Sequence, residues 1–332
     1  AASRAIQLQL PAGRHGMQPS VALCYTSGGG NGILGKGFSL RAGSSITTDT
    51  RTGLPRYDGH DVYLKDGAEL SLVAESGGTQ QYAALSEGAF ERIERHEAGG
   101  ADWWEATDKA GTRRLYGARS GGKTDRDSRS GYTAGGAYRT YTWNLTEETD
   151  VYGNSISYHY ENDGATPYLT EIKYTGTNGS GGAYTVRLTY EGRKDELLDA
   201  RGRFLTVMSR RLAAVEALSG STVIRKYELG YTEGLSGSSL LSSLTIRNGS
   251  GQSYTYTFAH KGLEGGPLLR RPRRVDGRKA DIRRHGHRIG DEHHGERRHG
   301  GGNHRGEHRH ARHRGAERPR VRREGQIGRA HV

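Results

Sequence analysis

Apolar and polar residues alternate in short runs along most of this chain. Ala5 to Leu10 runs Ile6-Gln7-Leu8-Gln9-Leu10 and stops at Pro11 and Gly13, the pattern of a half-buried strand. Ser20 to Tyr25 alternates again through Val21, Leu23 and Tyr25, then turns at Gly28-Gly29-Gly30-Asn31-Gly32. Asp58-Gly59 and Asp66-Gly67 flank Val62-Tyr63-Leu64. Asp108-Lys109-Ala110-Gly111 separates Trp103–Thr107 from Arg113–Tyr116 as a hairpin turn would. The clearest hairpin has Tyr141, Trp143 and Leu145 alternating into Asp150-Val151-Tyr152-Gly153-Asn154, with Ile156, Tyr158 and Tyr160 alternating back. Leu169–Tyr174, Tyr184–Tyr190, Val223–Tyr231, Leu241–Ile246 and Tyr254–Phe258 continue the form. About fifteen short strands are predicted. The sole helix candidate is Arg210–Leu218, whose flanks suit a strand nearly as well. The expected fold is all-β, with antiparallel hairpins forming extended sheets.

Composition agrees with this pattern. Tyr outnumbers Phe 19 to 4 and there are 52 glycines, which suits strands joined by tight turns. The formal charge of +12 suggests nucleic acid until it is located along the chain. Residues 271–332 carry 19 Lys and Arg against 8 Asp and Glu, leaving 30 against 29 in the rest. The body is therefore neutral, and no specific nucleic-acid contact is expected of it. From Arg271 onward there is no Phe, Trp or Tyr, while 18 arginines, 10 of the 15 histidines and 11 glycines crowd together. Such a segment cannot bury enough apolar surface to offset the entropy of ordering it. Two units are expected: a β domain over 1–267 and a low-complexity basic tail over 268–332. The tail reads as a basic arm for non-specific nucleic-acid contact, as a His-rich metal tract without paired zinc-site spacings, or, the favoured reading, as a gene translated out of frame, since Ile327-Gly328-Arg329-Ala330-His331-Val332 looks like translated adapter DNA. The opening Ala1-Ala2-Ser3 has no Met and is taken to follow a missing N-terminus. No membrane span is predicted.

Several motifs invite chemistry and each has a plainer explanation. Gly30-Asn31-Gly32-Ile33-Leu34-Gly35 satisfies G-x-G-x-x-G, but a dinucleotide fingerprint must open a helix, and Phe38, Leu40 and Ala42 continue as a strand. Cys24, the single cysteine, excludes an internal disulfide. It lies within a strand, where a lone thiol acts as a small hydrophobe, although His15 or His60 could serve it as a base. The Asp58 and Asp66 turns lack calcium-loop spacing. Three N-glycosylation patterns, at Asn144, Asn178 and Asn248, are short enough to arise by chance. Lys194-Asp195-Glu196-Leu197 is internal and so cannot be a retention signal. No catalytic, cofactor-binding or metal-binding residue is assigned.

The run Leu10-Pro11-Ala12-Gly13-Arg14-His15-Gly16-Met17-Gln18-Pro19-Ser20, with Leu23, Tyr25, Ser27, the turn at Gly30, Gly32 and Gly35, then Gly37-Phe38-Ser39-Leu40, resembles the opening of the SpvB N-terminal and Tc-toxin B family. Phe38 stands where that family more usually has Trp. The hairpin carrying Tyr152, Gly153, Asn154, Tyr158 and Tyr160 also resembles it, and resembles the neighbouring RHS and YD repeats. The resemblance spans roughly residues 5–267. It implies a non-catalytic structural and delivery module of a secreted bacterial toxin complex, one part of a β shell around a C-terminal toxic payload. Its implied partners are the remaining shell and RHS-repeat regions, other toxin subunits and the host cell surface. The family's ADP-ribosyltransferase carries a paired-glutamate E-x-E motif. No two glutamates here stand two apart, so any such activity lies in sequence beyond this chain. From the residues alone, Trp143, Phe38, Tyr152, Tyr158 and Tyr160 are candidates for cross-strand aromatic packing, and Gly13, Gly32, Gly35 and Gly153 for turns that favour glycine. An alternative function is a carbohydrate- or receptor-binding β module that uses exposed aromatics.

Overall fold

A computed structural model describes residues 3–260 apart from Glu87; the tail expected over 268–332 lies outside the described residues. The described residues form 23 strands and a single 3-10 turn at Ala98–Gly100, with no α-helix among them. Strands β1 (Ser3–Gln7), β2 (Ala22–Thr26) and β5 (Phe38–Arg41) make a small antiparallel sheet, and between them β3 (Asn31–Gly32) and β4 (Gly35–Lys36) pair as a minimal hairpin.

The next strands close into a barrel. β6 (Ser45–Thr48), β7 (Tyr63–Lys65), β8 (Ala68–Ser76), β9 (Thr79–Ala84), β10 (Arg92–His96), β11 (Trp103–Thr107) and β12 (Arg113–Tyr116) pair in chain order. The short pair β13 (Ala118–Arg119) and β14 (Lys123–Thr124) follows, then β15 (Arg129–Ala134) and the 13-residue β16 (Ala137–Thr149). β16 takes β6 against Thr142–Asn144 and β12 against Leu145–Thr149, closing an eight-stranded antiparallel ring. Closure leaves these strands no free edge. The interior follows from alternation: Ile46, Tyr63, Leu70, Tyr82, Ile93, Trp104, Ala106 and Trp143 are buried, from eight positions on seven strands. Trp104 sits at the centre, with ring centroids 4.9 Å from Tyr63, 5.0 Å from Tyr82 and 5.8 Å from Trp143. One end of the ring carries an ion-pair network in which Glu91 meets Lys65 at 2.8 Å and Arg114 at 3.3 Å, and Arg114 meets Glu148 at 3.0 Å.

At β16 the sheet forks. Glu147–Thr149 also pairs with β17 (Asn154–Asp163), and the sheet runs on through β18 (Thr166–Thr177), β19 (Tyr184–Asp199), β20 (Thr206–Ser219), β21 (Thr222–Glu233), β22 (Ser239–Asn248) and β23 (Ser253–Thr257). These strands are mostly longer, up to 16 residues in β19, and repeated register shifts mark bulges that bend and twist them. The N-terminal segment packs on this sheet, where Leu8, Val21, Leu23, Leu34 and Phe38 share a core with Tyr174, Val186, Leu188, Leu212, Tyr227, Leu241 and Leu244.

Two sequence expectations need correction. Strands are more numerous than about fifteen, in part because two-residue pairs such as β3–β4 and β13–β14 carry no alternation signal. The helix candidate Arg210–Leu218 lies within β20. Its helix-like spacing arises from a bulge: Thr189 faces Ala214 and Tyr190 faces Leu212, so Ala213 is an extra residue and Leu212 and Val215 bury three positions apart.

Candidate functional site

The N-terminal motif is a clamp that fastens the small sheet to the open one. Arg193 on β19 has a side chain with no solvent exposure, and its Nη2 lies 2.9 Å from Asp195. The same guanidinium donates to the Gly32 carbonyl at 2.8 Å and to Asn31 Oδ1 at 2.9 Å, so the β3–β4 hairpin completes its hydrogen bonding. Asp195 accepts in turn from Asn31 Nδ2 at 2.8 Å and from the Ser239 backbone N–H and hydroxyl, each at 2.6 Å. Burial acts to raise the Asp195 carboxyl, but the bonds from Arg193, Ser239 and Asn31 outweigh it and hold the group well below the usual carboxylate range. Two tyrosines fix the preceding segment: Tyr174 donates to the Pro11 carbonyl at 2.9 Å, and the Tyr227 hydroxyl accepts from the Gln9 N–H at 2.7 Å.

The glycines of the motif divide into two kinds. Gly35 adopts φ +81° and packs directly on the Ser239 carbonyl, where a Cβ would collide. Gly37, at φ +81°, lies against the Tyr25 ring, and Gly13 faces the Met17 carbonyl too closely for a side chain. Gly153, at φ +80°, sits against the Asn178 side chain, and Gly16, at φ +80°, faces open space. Gly30 and Gly32 show neither a positive φ nor a prohibitive contact, so the expectation that Gly32 is a turn position reserved for glycine does not hold. Of the aromatics, Phe38 packs between Tyr25 and Phe258 at 5.0 and 5.1 Å, and Trp143 lies in the barrel core. Tyr158 is buried with its hydroxyl on Glu148 at 2.6 Å, and the Tyr160 hydroxyl donates to the Leu145 carbonyl at 2.8 Å. Tyr152 sits in the turn rather than on a strand and is 78% exposed, its ring 5.7 Å from that of His15. It therefore makes no cross-strand pair. Pro19 is buried ahead of β2, and Asn154 opens β17 with its Nδ2 donating to Asp150 at 2.8 Å.

The dinucleotide-like glycines occupy a hairpin followed by β5, so no helix N-terminus is presented there. Cys24 is paired in register with Ala5 and Ser39, while His15 faces Tyr152 and His60 faces Asp58. These groups are not assembled into a nucleophile and base.

A feature that motif reading missed lies in the barrel, at the end opposite the Glu91 network. Arg95, on the inward face of β10 beside Ile93, is only 6% exposed. Its Nη1 donates to the Tyr63 hydroxyl at 2.7 Å, its Nη2 meets Glu97 at 2.7 Å and Asp102 at 3.1 Å, and its Cζ lies 4.9 to 5.6 Å from the rings of Tyr63, Trp143 and Trp104. Arg129, 4% exposed, donates to the Asp102 carbonyl at 3.0 Å. The sequence signal was present: Ile93 and Arg95 share an alternating face, which places a cation on an apolar side.

The SpvB family model, described as Salmonella virulence plasmid 65kDa B protein, matches residues 1–196. The mono(ADP-ribosyl)transferases SpvB of Salmonella choleraesuis (strain SC-B67) and Salmonella typhimurium are each 28% identical over 179 residues, covering 47% of this chain and 29% of their own. The match therefore spans less than a third of those relatives. Among solved structures, the N-terminal domain of effector protein SpvB from Salmonella typhimurium strain LT2 aligns with TM-score 0.62 at 20% identity, over 76% of this chain and 99% of that one. The Photorhabdus luminescens Tc holotoxin pore aligns with TM-score 0.65 at 21% identity, over 76% of this chain and 15% of that one. TcdB2-TccC3 without its hypervariable C-terminal region gives TM-score 0.65 at 20% identity, with coverage of 76% and 15%. At these identities the likeness is one of fold.

Proposed function

Since the chain belongs to the SpvB family, its model match covering more than half of the residues, we propose that it is a non-catalytic structural and delivery module, a section of a β shell that encloses a toxic payload carried elsewhere in a secreted bacterial toxin complex. The observation that carries this reading is the fork at β16. A closed barrel is fused to a sheet that ends, among the described residues, on a strand with one unpaired edge, β23, all five of whose residues are exposed. Such an edge is a template for further strands, and the bulges let the sheet curve as a wall. The partners proposed are shell and RHS-repeat regions and other toxin subunits. No described helix is long and apolar enough to cross a membrane. Transferase activity is assigned to sequence outside this chain, which matches 29% of the transferases it resembles and has no E-x-E pair.

An aromatic binding platform gains less support. Tyr63, Tyr82, Tyr116, Tyr158, Tyr168, Tyr174 and Tyr227 are buried, and the most exposed tyrosines are Tyr152, Tyr254 and Tyr256, two of them on the edge strand. Co-expression with an RHS-repeat shell polypeptide tests the proposal. A stable complex by size-exclusion chromatography, with no NAD turnover by the chain, is the expected outcome; NAD hydrolysis by the chain itself would overturn it.

A further inference from the structure

The barrel end that holds Arg95 opens on a cavity of about 660 Å³, within the range of small-molecule sites. Four arginines line it. Arg95 and Arg129 are buried in its floor, and the Nε of each has no hydrogen-bond partner among the described residues, an unusual state for buried donors. Arg126 and Arg139 stand at its mouth, Arg126 with its Cζ 3.2 Å from the Tyr138 ring centroid and Arg139 donating to the Tyr57 carbonyl at 3.2 Å. Neither mouth arginine has a carboxylate partner among the described residues, whereas most other guanidinium groups of the barrel do. Two carboxylates, Glu97 and Asp102, face four guanidinium groups, and Asp102 is already divided between Arg95 at 3.1 Å and Arg129 at 3.7 Å.

A purely structural barrel has no need of this excess. Burying guanidinium groups with an Nε donor left unpaired is costly, and an apolar plug would fill the same end of the lumen. Planar guanidinium groups converging on one space match the oxygens of a phosphate-type anion, which they bind through paired, charge-assisted hydrogen bonds. Tyr57, Tyr63 and Tyr138 supply walls for a ligand larger than the anion itself. We propose that this cavity is a binding site for a small phosphate-bearing molecule, held by Arg95 and Arg129 from below and by Arg126 and Arg139 at the mouth.

The probe is inorganic pyrophosphate, and the readout is intrinsic fluorescence of the full chain. All three tryptophans, Trp103, Trp104 and Trp143, belong to barrel strands, and Arg95 lies 5.6 Å from Trp104 and 5.3 Å from Trp143. The arginine-rich tail contains no tryptophan, so every fluorophore read is a barrel residue, and the double variant below separates binding in the cavity from binding elsewhere. Saturable fluorescence change is expected in the natural chain and in the surface control Lys194→Gln, with affinity weakened about tenfold or more in the Arg126→Gln/Arg139→Gln double variant. The double variant alters mouth residues and spares the buried pair, so its fold is retained, which circular dichroism checks. Absence of a saturable change, or equal affinity in the double variant and the control, would overturn the site.

Discussion

The barrel and the open sheet are built from similar hairpins yet solve the edge problem in opposite ways. In the barrel, β16 joins β6 to β12, so short strands of three to nine residues suffice between them because each is paired on both sides and shares a packed lumen. In the open sheet the strands run to 16 residues and, among the described residues, the last is paired on one side only. Stability there comes from a cover, the N-terminal segment, fastened by the Arg193 and Asp195 clamp. Closure makes a region self-sufficient, whereas an open sheet depends on what lies across its face and along its edge.

The largest expected effect strikes the barrel. Trp104→Ala removes the centre of the aromatic cluster from a side chain with no exposure, and should cost about 3–5 kcal/mol in denaturant unfolding. A loss below about 1 kcal/mol would mean that the lumen is not the packed core described.

The clamp is next. Asp195→Ala leaves Arg193 buried and uncompensated, at a cost of about 3 kcal/mol or more. The damage should be local, with proteolytic cleavage appearing first near Gly28–Gly32 while tryptophan fluorescence holds. The same carboxylate carries a pH signature. Its folded-state pKa is depressed, so its contribution is fully present above the unfolded value near about pH 4 and fades as pH falls below it. Asp195→Asn should therefore flatten the acid limb of the stability curve; an unchanged limb would deny the clamp its role.

Tyr174 marks the alkaline side of the same cover. Burial, with Tyr184 nearby, pushes its hydroxyl up to about 12, so its contribution is full below about pH 10, the ordinary tyrosine value, and is lost as pH rises through the folded value. Tyr174→Phe should blunt that alkaline loss, measured as the midpoint of base-induced unfolding. Gly35→Ala should cost about 1–3 kcal/mol through strain at φ +81° and the crowded Ser239 carbonyl, whereas Gly30→Ala should be nearly neutral. The smallest effect on stability is expected at β23, the edge strand among the described residues. Thr255→Lys on β23 should change unfolding by less than about 0.5 kcal/mol yet reduce self-association in light scattering. Unchanged association would show that the edge is not the sticky element.

Much of this architecture was legible as alternation. The β11–β12 and β16–β17 hairpins, the turn at Asp150–Asn154 and the order of the long strands all follow from residues that are near one another in the chain. The motif opening was legible as a resemblance, and Gly13, Gly35, Gly37 and Gly153 prove to be places where close backbone approach or a positive φ excludes a side chain. The Arg210–Leu218 stretch misled because Ala213 bulges out and resets the phase of burial. Arg95 was overlooked because a cation on an apolar face is read as noise until the surrounding strands are known.

What the sequence determined by itself was the all-β class, the neutral body set against a basic tail, and the hairpin units, since these depend on local period, turn chemistry and composition. Only the tertiary structure decided that β12 returns to β16 and closes a ring, that Arg193 reaches back to Asn31 across 162 positions, and that four arginines converge on one cavity. Those outcomes rest on pairings between distant segments, and alternation specifies which face of a strand is buried without specifying which strand it will meet.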